Sequence, residues 1–322
     1  MAKNKPRRFV RNDYNCSLDA DDEEIAKAEL NELPSDRLTA LQCLSDWIQD
    51  TEYIKCPLRT DFLLPFLRQA KFSQIKARKK IETYSSLFQN YPDYFANLDP
   101  NEEQVQYLFN TGFMVPLGLD KNKSQVFYIK MGLLDTSGTN YTSAHLLRAL
   151  MIAGIWTWMS SERTQIRGTV FIMDLEDYTW KRFMFIDMDK KKMISKNIMG
   201  CVPVRFKAVH LINYNLIVDS FVSILKPLDP GKFFKRIVRH NTLESLYDRE
   251  VPREILPAEL LPDEDSSKAN GTFKDLTEKF KQDILNHRET IMKMTDTNSF
   301  HVDESLKVLS STNSSYRKLG LD

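Results

Sequence analysis

Long apolar runs are missing from this 322-residue chain. The most apolar segment, Leu146 to Met159, is too short to cross a bilayer and contains Arg148. Met-Ala-Lys-Asn-Lys, followed by Pro6-Arg7-Arg8, lacks the apolar core of a secretory signal. An excess of one charge is missing as well. The 45 Lys and Arg against 44 Asp and Glu argue against a generic nucleic-acid binder, but leave room for a local basic patch. The four cysteines, Cys16, Cys43, Cys56 and Cys201, form no Cys-x-x-Cys pair, which reads as reduced thiols in a cytosolic protein.

Catalytic signatures are absent too. There is no Gly-x-Ser-x-Gly elbow, no Gly-rich phosphate loop and no His-Glu-x-x-His. None of His145, His210, His240, His287 and His301 has metal-ligand spacing to another, and His210 reads as a structural histidine. Cys201 stands too close to Arg205 for a phosphate-cradling loop. Asp174 and Glu176 alternate across a strand end and do not face each other as an acid/base pair. The expectation is a non-enzyme with no metal and no cofactor; a hydrolase is a distant alternative.

What is present is patterned. Residues 1–18 are polar and basic and read as a flexible lead-in; Asp19 to Glu24 is an acidic helix start. Leu38, Leu41, Leu44 and Ile48, then Ala77, Ile81, Tyr84 and Phe88, recur at helical spacing, so 19–92 reads as a helical subdomain. Over 93–262 the pattern changes to strands at 126–131, 168–174, 206–213 and 237–240, separated by helices at 143–159 and 215–225. Alternation of this kind predicts an α/β unit with a largely parallel sheet. Residues 263–322 hold an amphipathic helix with Phe273, Leu276, Phe280, Ile284 and Ile291 on one face, which predicts packing on the body.

Taken in order, several segments resemble the CRAL-TRIO family. They are Asp61-Phe62-Leu63-Leu64 with Phe66-Leu67-Arg68, Gly168 to Glu176, and above all Pro203 to Asn213. Lys226-Pro227-Leu228, Lys232, Arg236-Ile237, His240 and Ile255-Leu256-Pro257-Ala258-Glu259 continue in register, so that the likeness spans roughly 20–292. Departures are Pro65 inside the lead-in helix, Asp177 at a usual Gly position, Tyr214-Asn215 after Asn213, and Leu260-Leu261-Pro262 where Gly-Gly is common.

The resemblance implies a mixed, mostly parallel sheet flanked by helices, an all-helical N-terminal subdomain, and an apolar pocket under a lid helix at 215–225. It implies a monomeric carrier that binds a hydrophobic small molecule, such as a tocopherol, retinoid, carotenoid, sterol or phospholipid. Such a carrier would work in the cytoplasm, with reversible attachment to endosomal, Golgi or plasma membranes and release at phosphoinositides. The other class left open is a phosphoinositide-sensing interaction module with an incidental pocket. Wall residues would be Leu147, Leu150, Met151, Gly154, Ile155, Met173, Ile194, Ile198, Val202 and Val204, with Ile217, Phe221, Ile224 and Leu225 from the lid. Spacing alone reads these stripes as solid core; only the resemblance makes them a cavity. It also assigns Arg205, Lys207, Lys232 and Arg236 to a phosphoinositide headgroup. Two-residue spacing puts the first pair on one side of an extended segment, and four-residue spacing puts the second on one helix face.

Overall fold

The computed structural model describes residues 14–214, 216–228, 233–247, 249 and 251–308. Four helices open it: α1 (Ala20–Leu30), α2 (Arg37–Asp50), α3 (Thr60–Gln69) and α4 (Gln74–Asn90). The Asp19 carboxylate caps α1 by accepting from the Asp22 amide. Tyr14 and Leu18 already pack against the body, so the lead-in ends earlier than residue 18. Residues 1–13 lie outside the described part.

The sheet has five strands in chain order: β1 (Met114–Leu119), β2 (Gln125–Lys130), β3 (Thr169–Asp174), β4 (Phe206–Ile212) and β5 (Ile237–Arg239). β1 pairs antiparallel with β2, and the remaining pairs are parallel. α5 (Ser143–Met159) crosses from β2 towards β3, and α6 (Leu216–Leu225) from β4 towards β5. Both faces of a parallel sheet are covered, so its strands are apolar on both sides. Val126, Tyr128, Val170 and Ile172 point to one face, under Leu246, Leu256 and Leu276. Phe127, Ile129 and Phe171 alternate with them and point to the other, toward α5.

Helix α7 (Phe273–Asn286) packs on the body, but the expected helix stops at Asn286; Ile291 stands on a separate short helix, Arg288–Lys293. The Phe280 ring of α7 meets Trp156 at 5.1 Å, Phe109 at 5.7 Å and Phe127 at 6.0 Å. The chain then continues to Phe300, whose ring lies 4.7 Å from Phe88 and 5.4 Å from Phe62. Next to it His301–Val302 pairs antiparallel with Ile54–Lys55, a two-residue ladder that spacing did not predict. One continuous core therefore joins the N-terminal helices, the cavity side of the sheet and the C-terminal segment.

Candidate binding site

Between α5 and one face of the sheet lies a cavity of about 260 Å³. Its floor is aromatic. Phe127 and Phe171 stack at 5.8 Å with an interplanar angle of 19°, and Phe206 and Phe233 continue the row. Met114 and Ile129 complete the sheet side, and Phe95 closes one end. From α5 come Leu147, Leu150, Met151, Ala153, Gly154 and Thr157. Ile194, Ile198, Met199, Val202 and Val204 form the third wall. Part of that wall is a π-helical turn, Ile194–Ile198, a form that often marks a functional site. Ser195 donates from its hydroxyl to the Leu228 carbonyl and so ties this turn to the segment after α6.

Gly154 keeps the cavity open. A Cβ there would meet only Val202 Cγ1, at 3.9 Å. The single wall hydroxyl, on Thr157, donates to the Ala153 carbonyl at 2.7 Å within its own helix.

The structure thus brings Leu147, Leu150, Met151, Gly154, Ile194, Ile198, Val202 and Val204 to one cavity, as the resemblance implied. Other expected wall residues are corrected. Ile155 is fully buried in the packed core, because it stands about 100° around α5 from Gly154. Met173, Phe221 and Leu225 belong to a separate cluster with Leu175, Phe183, Val209 and Leu211. There the Phe221 ring stacks on Phe183 at 4.3 Å and 3°. Ile224 is exposed on the outer side of α6. The side chain of Ile217 lies outside the described residues. The proposed lid therefore seals the sheet beside the cavity instead of lining it. Phe127, Ile129, Phe171 and Phe206 were missed, although strand alternation was the available signal. Phe95 gave none.

Arg205 and Lys207 do point the same way, but neither stands free. Both bind the Glu29 carboxylate of α1, Lys207 at 2.8 Å, and Arg205 also donates to the Ile166 carbonyl. Partial burial opposes the charged form of Glu29. The Lys207 hydrogen bond and the Arg205 charge outweigh it and hold the carboxyl below its usual range. Arg236 is exposed and stands just before β5, whose first residue Ile237 pairs with Val209 in the middle of β4. Lys232 lies outside the described residues.

Two histidines that spacing kept apart are brought together. Register sets His210 opposite Val238, and His210 Nδ1 lies 2.8 Å from His240 Nε2. His240 Nδ1 lies 2.9 Å from Ser245 Oγ, which itself donates to the Thr242 carbonyl. That hydroxyl proton is committed, so Ser245 accepts from His240 and His240 accepts from His210. With both rings neutral, the Nε2 of His210 then carries no proton.

The site is thus an apolar chamber between a mostly parallel sheet and a long helix, beside a short apolar helix. Residues 109–260 match the family model of the CRAL/TRIO domain. The chain is 31% identical over 254 residues to the Homo sapiens alpha-tocopherol transfer protein-like, covering 76% of this chain and 71% of that one. With Mus musculus clavesin-2 it shares 28% identity over 240 residues, covering 73% and 72%. Among solved structures it is similar to Sfh5, with a TM-score of 0.47 and 11% identity over 93% of this chain and all of that one, too distant to bear on function. The chain belongs to the CRAL/TRIO domain family, typically lipid-binding and lipid-transfer proteins.

Proposed function

We propose that this protein carries one hydrophobic lipid in the cavity between α5 and the sheet and exchanges it at phosphoinositide-bearing membranes, without catalysing a reaction on it. The observation that carries this reading is a preformed cavity whose described wall is apolar side chains, Thr157 excepted. Burial of hydrocarbon there supplies affinity at roughly 25 cal/mol per Å² removed from water. Methionines 114, 151 and 199 let the wall adapt to an irregular cargo. A relative is named for tocopherol transfer, which supports a lipid cargo without fixing its identity.

Membrane exchange has its own support. Trp180, Met184 and Ile224 are exposed large apolar side chains, and the Trp180 ring lies 5.4 Å from Phe221 of α6. A lipid surface is a natural partner for apolar side chains exposed beside α6. In this reading the exposed Arg236 meets a headgroup phosphate, and Arg205 and Lys207 join it once Glu29 yields. No helix among the described residues is long and apolar enough to cross a membrane, so attachment through these surfaces is peripheral in this reading. The protein would act as a cytoplasmic monomer that visits endosomal, Golgi or plasma membranes.

The first test is organic extraction of the purified full chain, with the bound lipid identified and counted by mass spectrometry. One dominant species near one per protein is expected. An empty cavity that also refuses tocopherol, retinoid, sterol and phospholipid would turn the reading to a phosphoinositide-sensing module. Membrane docking is tested by flotation with phosphoinositide vesicles. Unchanged binding of a Lys232→Ala, Arg236→Ala variant would remove these two residues from the headgroup site.

A further inference from the structure

The wall chemistry says more about the cargo than its class. We infer that the cavity accepts only the hydrocarbon part of a single-chain lipid, so that polar groups within the buried length are rejected and a polar end stays outside. This rests on the carrier reading above.

Every described side chain facing the cavity ends in carbon or thioether sulfur, with one exception. The exception is Thr157, and its hydroxyl proton goes to the Ala153 carbonyl at 2.7 Å. Among the described residues the wall therefore holds no free side-chain donor. A carbonyl, ether or ester buried there finds no donor among these side chains, and a hydroxyl finds only the Thr157 oxygen as an acceptor. Methionine sulfur is only a weak acceptor. A polar group moved from water into such surroundings without a partner is strongly disfavoured. Size sharpens the point. A volume of about 260 Å³ lies just below the range of about 300–1,000 Å³ usual for drug-sized ligands, which suits one chain and not the two chains of a phospholipid. In this inference the chain runs past Gly154, where a Cβ would meet only Val202 Cγ1 at 3.9 Å. A side chain there would grow toward Val202 across the cavity and displace the cargo without meeting backbone.

Matched fatty acids test this in the delipidated full chain, read by displacement of a fluorescent polyene fatty acid. Octadecanoate and 12-hydroxyoctadecanoate differ by one mid-chain hydroxyl. The hydroxylated probe is expected to bind about tenfold or more weakly. Thr157→Val should leave both affinities unchanged. Equal affinities for the two probes, or a selective loss of the hydroxylated one in Thr157→Val, would overturn the inference and leave the carrier reading intact. Gly154→Leu should abolish loading of both probes while the thermal midpoint holds or rises, since glycine is a poor helix former. Wild-type protein that loads no fatty-acid probe at all would overturn this inference, while the carrier reading is decided by the extraction and loading experiment above; a Gly154→Leu variant that still loads both would overturn the inference as well, since the chain would then not occupy this cavity.

Discussion

At the scale of single residues, His210 is the group most sensitive to its surroundings. Burial, then the neighbouring His240 and Arg249, push it down to about 4 from an ordinary 6.5, and burial lowers His240 too. Below pH 6.5 the unfolded chain takes up a proton at His210 that the folded chain refuses. Stability should therefore be complete above that value and fall as the pH drops toward 4, by about 2 kcal/mol at pH 5 for this group. Urea denaturation at pH 7.5 and pH 5 checks it: His210→Gln should flatten the difference, and an equal slope in the variant would assign the loss to other groups. Neither histidine's partner was legible in the sequence, because the contact depends on the β4–β5 register. Leu147, Met151 and Gly154 repeat at helical spacing on one side of α5, but that spacing alone reads as core; the family resemblance, not the pattern, marked them as wall. Asp177 is a smaller case. It replaces the family's usual glycine yet adopts φ 55°, a left-handed conformation that aspartate tolerates better than most residues.

Elements show a different balance. α1 was expected from its acidic start, but not its grip. Asp22 is buried between Arg163 and Arg167, each at 2.8 Å, and Asp21 binds Lys123 at 2.7 Å. Glu29 extends that grip across 176 residues of sequence to Arg205, a distance no local pattern reports. In this arrangement α1 competes with any anion for Arg205 and Lys207. Glu29→Gln should raise affinity for phosphoinositide vesicles several-fold in flotation or surface binding, most clearly at low salt. An unchanged affinity would mean that the pair takes no part in docking. β1 was missed for an equally physical reason. Met114–Leu119 contains Pro116 and Gly118, which weaken a strand pattern, and the register shifts between them at the edge of the sheet.

For the whole molecule, segment boundaries drawn from composition do not correspond to separate cores. The helical N-terminal part shares buried aromatic contacts with α5, where Tyr84 meets Trp158 at 6.1 Å, and with Phe300. Urea should unfold the described body in one transition. Phe300→Ala should lower its midpoint, by about 3–5 kcal/mol in stability, without splitting it in two. Two resolved transitions followed by fluorescence and circular dichroism would show instead that the helical part stands alone.

The pairing of Ile54 with Val302, and of Phe62 and Phe88 with Phe300, also sets a schedule for synthesis. On a ribosome adding about 5–20 residues per second, the aromatic face of the first helices waits roughly 10–40 s for its C-terminal cover. During that interval the nascent chain exposes rings that the finished protein buries, so yield in the cell should depend on a chaperone holding this face until translation ends.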